Sequence, residues 1–201
     1  MARSAASFNR AKPRFKPQPT VLVICEDSKS GKRYLEDACG YFRVKVQVEI
    51  RHCGKTDPTS IVNEAIGRKG KFDRVFCTID RDAHANFENA LYAAKSQPKI
   101  DVVVSYPCFE FWLLLHFGYS RKPHSPDSLL KDLRAYPEFA DYDKGNERNI
   151  FRSLENRLPE ARRLAPKVLT EAIDGGEMNP STRLHELLAY FEELSQPQKI
   201  R

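Results

Sequence analysis

Two stretches of this chain, Val21-Leu22-Val23-Ile24-Cys25 and Val75-Phe76-Cys77-Thr78-Ile79, are near-continuous runs of apolar, mostly β-branched residues. A half-exposed strand alternates apolar with polar side chains. A run without that alternation belongs to a strand covered on both faces. Val102-Val103-Val104-Ser105 is a shorter run of the same kind. Segments with helical periodicity separate these runs: one reaches about Phe42 with Tyr34, Leu35 and Ala38 on one side, and one runs from about Asn86 to Ser96. Strands alternating with helices in this way predict an α/β fold, a mostly parallel sheet with helices on both faces.

Finer features fill in the plan. Val44, Val46, Val48 and Ile50 alternate with Lys45, Gln47 and Glu49, which predicts a half-exposed strand near a sheet edge. Asp57-Pro58 has the form of an N-cap and first helical residue, opening a helix through about Arg68. Pro107 is expected to start an apolar helix covering Phe109 to Phe117. Beyond about Gly118 strand signals vanish, and helices are expected near 126–136, 147–157, 159–173 and 181–195. The last carries a stripe of Leu184, Leu187, Leu188, Phe191 and Leu194, with Asn179-Pro180 expected as its cap.

Charge is unevenly distributed. The net charge is +6, and Arg3, Arg10, Lys12, Arg14 and Lys16 place +5 of it in the first 20 residues, leaving +1 for the rest. With Pro13, Pro17 and Pro19, residues 1–19 are expected to form a disordered basic arm, which raises the odds of a nucleic-acid partner. Five cysteines without a C-x-x-C pair argue against a disulfide framework or a zinc site and fit a reducing cytoplasm. No apolar stretch is long enough to cross a bilayer, and no secretory signal is visible. Gly54-Lys55-Thr56 ends like a phosphate loop but has Glu49 where the leading glycine belongs, so nucleoside-triphosphate hydrolysis is a poor reading.

The chemistry is expected at the carboxyl ends of the strands, where open parallel sheets collect functional groups. Glu26 follows the first buried strand; Asp80 and Asp82 follow the third. Residues two apart on an extended backbone point the same way, so Asp80 and Asp82 would present their carboxylates together. Hard oxygen donors on one side suit Mg²⁺, which binds through one or two carboxylates and keeps waters for a phosphate. An isolated D-x-D more often caps a helix; the added Glu26 makes that bland alternative weaker.

With these residues in view, the chain resembles Toprim proteins, and more specifically the RloB-like family. The resemblance is carried by Val23-Ile24-Cys25-Glu26-Asp27-Ser28, by Ile79-Asp80-Arg81-Asp82-Ala83-His84, by Ser105-Tyr106-Pro107-Cys108-Phe109-Glu110-Phe111-Trp112 and its continuation to Phe117, by Tyr142-Asp143-Lys144, and by Asn179-Pro180-Ser181-Thr182. Asp27 stands where the family pattern leads one to expect Gly or Ser, so no role is assigned to it. The resemblance implies a Toprim-like catalytic domain over residues 20–118 and a helical extension over 119–201 packed on the same core. It implies a metal-dependent phosphodiesterase of bacterial antiphage defence, acting on RNA, with transfer RNA among the candidates, or on DNA, and an ATPase partner protein.

Glu26, Asp80 and Asp82 are the expected ligands of Mg²⁺, with Mn²⁺ as a substitute. Glu110, early in an apolar helix, is either a second-metal ligand or a structural ion-pair member. Lys144 is either a phosphate contact or an ordinary surface lysine. Arg10, Lys12, Arg14, Lys16, Lys29, Arg81 and His84 are candidate nucleic-acid contacts. His116 lies about 240° around the helix from Glu110, so the two are not expected to share a site. Two rival functions stay open: a Toprim nucleotidyl transferase, and a non-catalytic or partner-activated nucleic-acid-binding subunit. A homo-oligomer is allowed by all three.

Overall fold

The computed structural model describes residues 15–81, 85–143 and 149–197. Five strands form one sheet in the order β2-β1-β3-β4-β5. β1 (Val21–Cys25), β2 (Val48–His52), β3 (Arg74–Asp80) and β4 (Ile100–Tyr106) are mutually parallel, and the short β5 (Ser181–Thr182) runs antiparallel to β4. All five residues of β1, the central run of the sequence, are buried.

Side-chain alternation along the strands splits the core in two. Leu22, Ile24, Val75, Cys77, Ile79, Val102 and Val104 face α2 (Pro58–Arg68) and α3 (Phe87–Lys95). Val21, Val23, Cys25, Phe76 and Val103 face the other side, against α1 (Ser30–Tyr41) and α4 (Glu110–Leu114). On that second side α5 (Pro126–Arg134), α6 (Ile150–Leu154), α7 (Leu158–Gly175) and α8 (Leu184–Ser195) add their apolar faces to the same cluster. Asp57 caps α2 as its sequence suggests: its Oδ1 accepts from the Ser60 N–H at 2.9 Å, with Pro58 at the first helical position.

Four expectations are corrected. The alternating valines do not start a strand at Val44. The Val44 N–H donates to the Cys39 carbonyl at 2.9 Å, closing the end of α1, while Val46 is 96% exposed and pairing begins only at Val48. The helix after Pro107 is a short one, opening at Glu110. Residues 181–182 are not helical but form β5, with the Ser105 and Thr182 hydroxyls 2.9 Å apart. Asn179 therefore caps no helix. Its side chain accepts from the His124 N–H at 3.2 Å and donates to the His124 carbonyl at 2.8 Å, tying two loops together.

Candidate metal centre

Four parallel strands end at one edge of the sheet, and residues at or just beyond those ends build the site. The Glu26 N–H donates to the Thr78 carbonyl at 3.1 Å, extending the β1–β3 ladder by one step. The Glu26 side chain lies over β3, where Oε2 accepts from the Asp80 N–H at 2.8 Å. Two acids 54 positions apart are thus brought into contact by strand pairing alone. The next residue, Arg81, donates its N–H to the Ser105 carbonyl at 2.9 Å, keeping the chain in register beside β4.

Asp27, adjacent to Glu26, has a different task. Its Oδ1 accepts from the Lys29 N–H and its Oδ2 from the Gly31 N–H, both at 2.7 Å. It caps the start of α1, where a carboxylate also meets the positive end of the helix dipole. Glu26 remains turned toward the strand ends.

Glu110, the first residue of α4, is 1% exposed. Its Oε1 accepts from the Tyr142 hydroxyl at 3.1 Å. Tyr142 also hydrogen-bonds Ser30 at the start of α1, so one hydroxyl joins three separated segments. Burial, and secondarily the Glu110 charge, push the Tyr142 hydroxyl well above the ordinary phenol range, so it remains a neutral donor. Cys108, at the turn from β4 into α4, is equally buried. One ligand atom from each of Asp80, Cys108 and Glu110 lies within 4.8 Å of the other two. Two carboxylates this close repel, and a divalent cation between them would replace repulsion by coordination. A cavity of about 20 Å³ lined by Glu26, Thr78, Asp80, Ser105 and Phe109 adjoins the group, room for about one water.

The sequence candidates distribute as follows. Glu26 and Asp80 meet; Glu110 joins Asp80 from a third segment. Among the described residues the mutually close group is Asp80, Cys108 and Glu110, and Glu26 touches it through the Asp80 backbone. Asp82, His84 and Lys144 lie outside the described residues, as do Arg10, Lys12 and Arg14. Lys16 and Lys29 are exposed. The Arg81 guanidinium sits 4.4 Å from the Phe87 ring centroid, leaning onto α3. His116 is a core residue: its Nδ1–H donates to the Trp112 carbonyl at 2.9 Å, and burial lowers its pKa to about 4, so the ring is neutral. Trp112 is fully buried beside it.

Cys108, Tyr142 and His52 were not among the sequence candidates. Cys108 stands two residues before Glu110 in the same motif, where only Glu110 was assigned a role. Tyr142 belongs to the Tyr142-Asp143-Lys144 motif, in which only Lys144 was assigned a role. His52 ends β2, its Nδ1–H donating to the Cys25 carbonyl, the residue before Glu26, at 3.0 Å. A larger groove of about 660 Å³ runs along β4 between α3 and α7 and contains none of these groups. No helix among the described residues is long and apolar enough to cross a membrane.

Searches of curated proteins and of solved structures return no match. The family model described as RloB-like protein matches residues 21–191. That span runs from the first residue of β1 into α8 and takes in every strand, both halves of the core and the whole acid cluster. A match over so much of the chain, on a fold whose site is built from those same residues, establishes that the chain belongs to the RloB-like family.

Proposed function

We propose that this protein is a Toprim-type, metal-dependent phosphodiesterase that cuts nucleic acid as an effector of antiphage defence in the cytoplasm, working with an ATPase partner. The observation that carries this reading is the convergence of Glu26, Asp80 and Glu110, from three separate elements, at the carboxyl edge of a parallel sheet.

The donor set fits a divalent cation. Asp80 and Glu110 would hold it, with Glu26 beside them and Asp82, outside the described residues, as the further ligand the sequence suggests; Mg²⁺ with Mn²⁺ as a substitute suits the carboxylates. Such an ion supplies charge neutralisation at a phosphoryl oxygen and an activated water. The chain's own residues do the rest. Strand pairing fixes Glu26 against Asp80, and Tyr142 fixes the rotation of the Glu110 carboxylate. Glu26 would then share the metal or take a proton from an attacking water. Arg81 and Lys29 are candidate contacts for substrate phosphates at the same edge, with His84 and Lys144 beyond the described residues.

The test is to sequence RNA and DNA ends from cells expressing the wild type or Asp80→Ala. New ends appearing only with the wild type name the substrate. Identical end profiles in the two, with both proteins folded and expressed, would remove the nuclease reading.

A further inference from the structure

The two outer edges of the sheet differ. At the β4 edge, β5 pairs with Ser105 and Tyr106, and Arg183 covers the next stretch: its N–H donates to the Val104 carbonyl at 3.0 Å and its Nη1 to the Val102 carbonyl at 3.2 Å. At the other edge β2 pairs with β1 alone. An open strand edge is a template for another chain, and folds that need no such partner cover or blunt it. We propose that β2 is a homodimerisation strand: two copies of this chain join edge to edge, antiparallel, about a two-fold axis at Ile50. The inference goes beyond the nuclease reading and does not depend on it.

Three observations carry it. The first is the direction of the backbone groups. The Val21 N–H donates to the Gln47 carbonyl at 2.8 Å, so Gln47 and the residues in step with it, Glu49 and Arg51, turn their backbone groups to β1. Val48, Ile50 and His52 turn theirs outward. The Val48 N–H returns to the Val44 carbonyl at 3.1 Å; no hydrogen bond among the described residues reaches the outward groups of Ile50 and His52. An axis at Ile50 lets each Ile50 N–H donate to the partner's Ile50 carbonyl, and each His52 N–H to the partner's Val48 carbonyl.

The second is charge. Glu49 and Arg51 stand on one face of the strand, paired with each other and partly exposed. The axis at Ile50 sets Glu49 opposite the partner's Arg51, and Arg51 opposite the partner's Glu49, at the closer-spaced positions of the ladder. A slip by two residues in either direction sets Glu49 against Glu49 or Arg51 against Arg51. The strand is therefore self-complementary in one register, as a two-fold interface requires. A different partner chain would need no such symmetry.

The third is an exposed apolar residue with somewhere to go. Val46 is 96% exposed just before the strand. The same register carries it toward the partner's turn at Gly54, where nothing lies within 4 Å of an added Cβ. Because the paired β2 strands run in opposite directions, the two acid clusters face opposite ways.

The experiment is sedimentation equilibrium on the full chain over a range of concentrations. The wild type should form a dimer. Glu49→Arg and Arg51→Glu should each weaken it at least ~10-fold, because each sets like charges opposite one another twice. An equimolar mixture of the two variants should dimerise again, and the double swap Glu49→Arg/Arg51→Glu should dimerise by itself. Should the single variants fail to fold by circular dichroism, hydrogen exchange on the wild type decides: the Ile50 and His52 amides should gain protection as concentration rises. A wild type that stays monomeric up to ~100 μM, a dimer indifferent to both charge reversals, a mixture that stays monomeric, or exchange at Ile50 and His52 that ignores concentration overturns the interface. None of these results touches the nuclease reading.

Discussion

The two faces of the sheet are built from the same strands and differ in what they hide. The face under α2 and α3 is closed by Ile61, Val62, Ala65, Phe87, Ala90 and Ala94, and neither helix contributes a buried polar side chain. The face under α1, α4 and the later helices is larger and holds Ser30, Glu110, His116, His124, Ser181 and Thr182 buried within it or at its margin. Desolvating a polar group is unfavourable unless it is bonded or compensated, so such groups accumulate only where something other than packing is selected. One face is a wall. The other positions the acids, and it does so with elements that sequence order leaves far apart.

The sharpest way to break this contrast is to alter one residue where the polar face meets the strand ends and one from the wall. Asp80→Ala is expected to reduce metal-dependent cleavage by at least ~10³-fold, about 4 kcal/mol of barrier, with an unchanged melting temperature. Single-turnover cleavage and thermal melts on the same samples check both halves. Ile61→Ala, in the wall, is expected to do the reverse: a loss of about 2–5 kcal/mol of stability with cleavage per folded molecule intact. Urea unfolding measures it, and a large fall in specific activity with little destabilisation would erase the distinction between the faces.

A pH series sharpens the comparison, since the polar face also holds histidines lowered by burial: His116 to about 4, with His124 and His185 moved in the same direction. For such a group the unfolded chain takes up a proton first. Stability is therefore retained above about pH 6.5 and lost as pH falls toward about 4, by at most about 3 kcal/mol for His116. Unfolding curves of wild type and His116→Gln between those limits should differ in slope. Parallel curves would mean that the ring titrates normally in the fold. The smallest effect is expected from Tyr142→Phe, which removes the hydroxyl from Glu110 without changing the ring. A loss of about 1 kcal/mol in stability and a roughly 10-fold drop in metal affinity are expected. Undiminished affinity in a calorimetric titration would reduce that hydroxyl to a packing contact.

Much of the fold was legible because its signals are local. The unbroken apolar runs at 21–25 and 75–79 could only be strands buried on both sides, and Asp57-Pro58 announces a helix whatever surrounds it. Glu26 and Asp80 could be picked out for the same reason, as acids placed directly after such runs. The misreadings have a common cause. Val44 and Val46 alternate like strand residues, yet a hydrogen bond back to Cys39 holds that segment as a turn. Ser181-Thr182 is too short to show any period and is a strand only because β4 offers it a partner.

Residue pattern alone determined the parallel sheet, its helical cover and which acids stand at its carboxyl edge, because strand burial and helix capping act over a few neighbouring residues. Which groups share a centre was decided only in three dimensions. Cys108 and Glu110 reach Asp80 because β4 pairs with β3 in register, and Tyr142 reaches Glu110 because the helices after Gly118 fold back onto α1 and α4. Contacts between positions 28 or more apart depend on the packing of whole elements, and no local rule of sequence encodes that packing.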